Sequence, residues 1–501
     1  MMKTSAIPRP SPGTFENRPP RHAERGITMV LVAIAMVAII AMAAMSIDVI
    51  TLYLAREEAQ RSADAAALAA ARVLSVSGIT STANPAADPA SWTKICGAAG
   101  AATQTAQAVA IQNSVGSSAG TSTVTYAAGG SSSTDCSTLP AAFGVNPMVT
   151  VQVTRASMPT FFSRIWGNTG NSVSATATAE AFNPSYSGTY SNSGGPPTSI
   201  TPVEPRCVKP WVVPNHDPLN PGPSGPKYCD ETGGPGACRT FVSTANASIT
   251  NPGISLNGGG ANGSIGETLW LVPDCQHNVA GHCQLRGSGQ PEANYNSGAT
   301  SVKLPPNLLY VPGEVGTPVV AVPTCTQGDP YEEAIEGCDQ AINYQCGQPN
   351  ANAVDLTRNP GAGGATTNGV QCLTRQTDVF DYTAPSGQDY LNAFGAPTAY
   401  PFQMFAGSST PIAGMAGNPI SSSNSIVSLP IYDSAGATIA SNRTTNVTFV
   451  GFLQVFINAV DQYGNVNVTI LNVAGCSNGS GSVGAPALGS SPVPIRLITP
   501  P

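Results

Sequence analysis

Hydrophobic and polar positions along this chain change their period three times, and each change predicts a different kind of element. From Ile27 to Ile47, 21 consecutive residues carry no charge. At ~1.5 Å of rise per residue, that run as a helix is roughly 31 Å long, close to the ~30 Å hydrocarbon core of a bilayer. Asp48 ends the run, and Tyr53 is of the amphipathic type that suits a headgroup region. No helix breaker follows. AREEAQRSADAAALAAAR (55–72) is built from the best helix formers, with Glu57 and Arg61 at i,i+4 in the favourable order. Its small residues Ala59, Ala63, Ala66, Ala67 and Ala70 form a stripe that lets another element approach closely. One helix is therefore predicted to leave a membrane and enter a soluble domain. A cleaved signal peptide would have a shorter apolar core and a small-residue cleavage site. A type IV prepilin would place Glu five residues after its cleaved Gly; Gly26 fits, but Leu31 stands at the Glu position.

The period then drops to two. TSTVTY (121–126), MVTVQVTRA (148–156) and SVSATATAEAF (172–182) alternate as strands, with Val149, Val151 and Val153 on one face. Between the last two, PTFFSRIWG (159–167) spaces Phe161, Phe162, Ile165 and Trp166 for a short amphipathic helix. Residues 51–182 thus describe an α+β unit, a long helix on a short antiparallel sheet. Residues 183–205 have linker composition, 206–476 read as a mainly-β domain, and 477–501 as a flexible Ser/Gly/Pro tail. In the β domain TLWLVP (268–273) and NLLYVPGEVGTPVVAVP (307–323) are apolar and broken by Pro, as edge or short strands are. PYEEAIEGC (330–338) predicts a short helix. NVTFVGFLQVFINAV (446–460) is apolar on both parities, the mark of a strand buried on both faces, and DQYGN (461–465) turns it back into VNVTILNVAG (466–475).

Composition narrows the setting. Charged residues make only 10% of the chain, against a usual ~25%, while there are 52 glycines and 44 prolines. Ser, Thr, Asn and Gln must then supply the polar surface. A net charge of −7 provides no basic footprint for nucleic acid. All 12 cysteines follow the apolar segment: Cys96, Cys136, Cys207, Cys229, Cys238, Cys275, Cys283, Cys325, Cys338, Cys346, Cys372 and Cys476. An even number on one side of a membrane reads as disulfides in an oxidising space, and the close spacings 229/238, 275/283 and 338/346 suit loops stapled locally to a sheet, with connectivity left open. Before the segment, Lys3, Arg9, Arg18, Arg21 and Arg25 outnumber Glu16 and Glu24, which places residues 1–25, a Pro- and Arg-rich disordered tail, in the cytoplasm and residues 26–50 across the membrane.

The succession Arg25-Gly26, apolar span, Asp48 and YLAREEAQRSADAAALAAAR resembles the amino-terminal region of TadE/TadG-like Flp-pilus assembly proteins. MVTVQVTRASMPTFFSRIWGNTGNSVSATATAEA resembles the strand–PTFF–strand segment of TadG-like members. The resemblance covers about residues 24–182. It implies a single-pass bacterial inner-membrane protein with a pilin-like helix-on-sheet unit, its bulk periplasmic or extracellular. The implied role is non-enzymatic, in assembling or anchoring tight-adherence pili, with other assembly proteins and pilin-like helices as partners. The alternative is an envelope-anchored adhesin whose distal β domain binds a surface. The Asp-x-Ser-x-Ser metal motif of some TadG-like proteins does not occur here.

Candidate chemistry is sparse, and no catalytic, cofactor or metal residue is assigned. DCQHNVAGHC (274–283) offers Cys275, His277, His282 and Cys283, ligand types zinc accepts, yet cysteine pairs in an oxidising space usually bond each other. A Ser–His–Asp hydrolase would need His216, His277 or His282, and no G-x-S-x-G elbow accompanies them. Glu332–Glu333 and Asp378/Asp381 are carboxylate pairs expected to be solvated. NGGGANGSIGE (257–267) lacks the Lys of a phosphate loop and reads as turns.

Overall fold

A computed structural model describes residues 22–79, 89–128, 130–144, 147–160, 170–181, 207–221, 238–245, 263–274, 307–316, 329–339, 347–358, 364–378, 385–392, 402–420, 422–437, 439–476 and 495–498, with shorter pieces between. The chain divides into two compact units, residues 1–57 with 156–173, and residues 58–155 with 174–501.

The expected continuous helix is present. α1 runs His22–Val76, 55 residues, or roughly 80 Å. In the first unit its apolar side chains from Ile27 to Leu54 face outward, and Ile27 and Tyr53 are each 68% exposed. Polar side chains in this stretch bond within the protein: Ser46 Oγ donates to Ala43 O, and Thr51 Oγ1 to Asp48 O, each at 2.8 Å. Asp48 itself is buried and accepts from Phe162 N at 3.1 Å. The amphipathic helix expected within 159–167 falls largely outside the described residues, since Phe161 and 163–166 are among those not described.

In the second unit the same helix changes character. Ala59, Ala63, Ala66, Ala67, Ala70 and Leu74 are fully buried. Ser62 Oγ donates to Ala110 O in α3 (Ala101–Gln112), and Gln60 Nε2 to Thr176 O. Before α3 comes α2 (Pro89–Cys96), tied by the Cys96–Cys136 disulfide. The sheet contains β1 (Thr121–Ala128), β2 (Ser131–Ser133), β3 (Met148–Met158) and β4 (Asn171–Ala181). β1 and β3 run antiparallel with Val124 opposite Val151, and the expected Val149, Val151 and Val153 face is buried.

Beyond the sheet lies a closed six-stranded barrel. Its strands are β5 (Trp211–Pro214), β7 (Thr268–Pro273), β8 (Asn307–Pro312), β9 (Ile426–Tyr432), β10 (Phe449–Val460) and β11 (Val466–Gly475), while β6 (Asp217–Pro221) lies outside it. Around the barrel the order is β7-β8-β5-β9-β10-β11, closed by the antiparallel pairing of β11 with β7, so no strand edge is left open. The Pro-bounded strands β7 and β8 are short as expected, but they are not edges. They pair in parallel, and Pro273 and Pro312 stand at their last positions. Every residue of β10 and β11 is buried. One cluster packs Phe449 and Phe452 against Tyr344, Val354 and Leu356; another packs Phe456 and Leu471 against Leu391 and Met404, with Val76 beside it. The long apolar run divides at Thr448, so Thr444–Val447 is a separate strand paired with Asn352–Asp355.

The short helix expected at 330–338 is α4 (Pro330–Glu336), capped by Asp329, whose Oδ1 accepts from Tyr331 N, with Pro330 in its first turn. It packs against α5 (Ala365–Thr374). Cys338, one of the closely spaced cysteines whose connectivity the sequence leaves open, bonds Cys207 across 131 residues. Cys207 N also donates to Asp339 O at 3.3 Å, so the two segments run side by side. Cys372 and Cys476 are also disulfide-bonded. Within the 477–501 tail, β12 (Ile495–Ile498) pairs antiparallel with β4 and covers its open edge, so the first sheet orders β2-β1-β3-β4-β12; Arg496 pairs with Glu180 across that seam. Ala485–Ala487 of the same segment pairs in parallel with Val203–Pro205, so a Ser/Gly/Pro composition hides two short pieces whose pairing decides their state.

α1 stops at Gly78, whose φ of +73° is left-handed. A Cβ there would lie 2.8 Å from Ile265 Cγ2 and 3.0 Å from Leu471 O. Gly78→Ala is expected to destabilise the full chain by ~1–3 kcal/mol through backbone strain and overpacking together. Urea denaturation followed by tryptophan fluorescence checks this, and an unchanged midpoint would show that the helix end is free to shift.

Candidate functional site

The strongest functional feature is α1 itself, because one helix carries two surfaces. A helix long and apolar enough to cross a membrane begins at Ile27. Its window of mean hydropathy 2.8 has almost no buried residues. In a soluble core such side chains would be covered; here they are presented. From Ala59 onward the exposed face is replaced by the alanine stripe, whose spacing of three and four residues keeps it on one side of the helix. Glu58 Oε2 accepts from Gly116 N at 2.7 Å, fixing the turn after α3 to the helix.

The residues weighed for chemistry do not converge. Cys275, His277, His282 and Cys283 lie outside the described residues, as does Asp381. Among the described residues no group of three metal-ligating side chains occurs. His216 is buried beside Asp217, but the nearby serine hydroxyl is turned elsewhere: Ser264 Oγ donates to Asp217 Oδ2 at 2.9 Å. A serine that gives its hydrogen to a carboxylate is not activated by an imidazole. Glu332 and Glu333 sit in the first turn of α4, where carboxylates favour the helix dipole; Glu332 is buried, contrary to the solvated expectation, because α5 packs over that turn. Burial raises its pKa, and Asp329 and Glu333 add to the effect.

Two buried ionisable pairs were not legible as pairs in the sequence. Lys209 Nζ donates to Gly337 O at 2.7 Å and to Ala334 O at 3.4 Å, and its pKa is lowered to about 7 by burial, against the pull of Glu336. Glu336 is pushed up to about 7, first by burial and then by Glu332 and Glu333. Asp217 and Glu267 are the second pair, both fully buried. Burial raises both, and the neighbouring Asp217 raises Glu267 further. Apart from Asp217, no donor among the described residues reaches either Glu267 oxygen, and burial together with the neighbouring Asp217 favours the protonated form of Glu267. Their only sequence signal is position, with Glu267 directly before TLWLVP and Asp217 two residues after Asn215.

A carboxyl whose folded pKa is raised stabilises the fold below its unfolded value, near 4.5 for Glu, and that contribution is lost as pH rises through the folded pKa. Glu267→Gln removes the ionisation. Its thermal stability relative to the parent chain is therefore expected to improve steadily as pH rises from about 4.5. Melting temperatures at stepped pH measure this; a difference that does not change with pH would show that Glu267 is not held protonated.

Residues 26–73 match the family model described as Flp pilus-assembly TadE/G-like, and residues 84–179 match that described as Tad-like Flp pilus-assembly. No curated protein and no solved structure matches the chain. The first match spans the apolar stretch of α1 and its alanine stripe, and the second spans α2, α3 and the strands up to β4. Over these two segments the chain is similar to Flp pilus-assembly proteins of these two descriptions.

Proposed function

We propose that this protein is a non-enzymatic, membrane-anchored component in the assembly or envelope anchoring of Flp pili. The observation that carries this is the change of surface along α1, from exposed apolar side chains through Leu54 to a buried alanine stripe from Ala59. The first part suits lipid and the second packs into a folded domain, both within the region matched by the family models. The excess of Lys and Arg before Ile27 favours a cytoplasmic amino terminus, and the disulfides of the remaining chain suit an oxidising space beyond an inner membrane. The buried carboxyls and Lys209 are enclosed by packing rather than set in an open cleft, which supports a structural role.

A reporter active only outside the cytoplasm, fused after residue 182, should be active, and its cytoplasmic counterpart silent. The reverse result would overturn the orientation. Ala67→Trp places a large side chain in a fully buried position of the stripe and should cost ~1–3 kcal/mol. Piliation should fall while the protein stays in the membrane fraction. Normal pili in that variant and in a deletion strain would remove the assembly role, and loss of surface attachment alone would favour the adhesin.

A further inference from the structure

A cavity of ≈ 550 Å³ opens in the second unit between the end of α1, the end of α5 and the 406–424 segment. Arg72, Arg375 and Asp389 are its charged lining. Asp389 is already engaged: Oδ1 accepts from Gly407 N at 3.0 Å and Oδ2 from Ser423 Oγ at 2.6 Å. Among the described residues neither guanidinium has an ion-pair partner, which leaves the cavity one positive charge in excess. Burial lowers the pKa of Arg72, the mark of a cation short of compensation.

Local structure does not account for both arginines. Arg375 occupies the left-handed position at the end of α5, with φ +62°, where Gly or Asn is usual. Any larger L-residue there is strained by about 1–2 kcal/mol, so the position is not filled for backbone reasons. A cation at a helix end does favour the dipole, but that effect fades within the last turn, and Arg72 stands a full turn before Val76. The rest of the wall is mixed. Pro411, Ile412, Met415 and Ile420 supply an apolar side, with Ile412 61% exposed, while Thr410 and Asn424 supply hydrogen-bonding groups.

We infer that this cavity binds a monoanionic carboxylate carried on an apolar body, the chemistry of a peptide chain ending in an aliphatic residue. A guanidinium matches the planar carboxylate through paired hydrogen bonds, and the apolar side receives the terminal side chain. Inorganic phosphate fits less well, because it carries more charge than the cavity has in excess and has nothing to place on the apolar side.

The test uses the full chain in an uncharged detergent and titration calorimetry with acetyl-Ala-Leu, its carboxyl-terminal amide, and inorganic phosphate. The free acid is expected to bind at least about tenfold tighter than the amide, the usual weight of a charge-assisted hydrogen bond. Arg375→Gln should weaken the acid by about tenfold and leave the amide unchanged. Arg72→Lys keeps the half-buried charge, and with it the fold, and should weaken the acid alone by removing the paired geometry. Equal binding of acid and amide, tighter binding of phosphate, no heat at millimolar peptide, or unchanged affinity in both variants would each overturn the assignment. The outcome does not depend on whether the protein acts in pilus assembly.

Discussion

Side-chain carboxamides that bind backbone in both directions hold this structure together where strands alone do not. Gln376 donates from Nε2 to Val460 O at 2.9 Å and accepts from Val460 N at 2.8 Å, so it stands in for a neighbouring strand at the end of β10. Asn215 does the same to Val242, and Asn352 to Gln345. Inside the β10–β11 pair, Asn458 Nδ2 donates to Asn467 Oδ1 and Thr469 Oγ1, each at 2.9 Å. Strands buried on both faces shield such groups from solvent, and each one left unpaired would cost about 1–3 kcal/mol. Charged groups would satisfy them at a higher desolvation cost. The low charge content is therefore tied to how this fold closes.

The same logic links barrel and helix. Asn472 Nδ2 donates to Ser75 O at 3.1 Å, so a barrel strand takes up one of the last carbonyls of α1. Ser75 Oγ and Ser77 Oγ bond Arg72 O and Leu74 O, each at 2.9 Å, before Gly78 turns the chain away.

Elements with a strong period were legible in the sequence: α1, the alternating β1, β3 and β4, and the doubly buried β10 with its return. Each follows from side-chain spacing that no tertiary contact needs to override. Barrel closure was not legible, because it depends on β7 and β8 running parallel, and pairing direction leaves no trace in a six-residue apolar run. β12 was hidden for a related reason, since IRLI is too short to stand out and becomes a strand only because β4 offers an open edge. The carboxyl pair and the two arginines around the cavity were invisible because each member comes from a different element. Arg72 and Arg375 lie far apart in sequence and line one cavity only in the folded unit.

The placement of the Cys207–Cys338 bond follows from what it encloses. Two residues beyond Cys207 stands Lys209, and two residues before Cys338 stands Glu336, both buried. Because the folded pKa of Lys209 is depressed to about 7, its penalty is full below that pH and fades toward 10.5. Because that of Glu336 is raised to about 7, its penalty is full above that pH and fades toward 4.5. Near neutrality both penalties stand close to their maximum, partly offset by the attraction between the two groups. A cross-link closing a loop of more than 100 residues offsets this by on the order of 5 kcal/mol in the chain-entropy picture, acting on the unfolded chain at every pH. The bond thus stabilises the fold where its own buried charges are least comfortable.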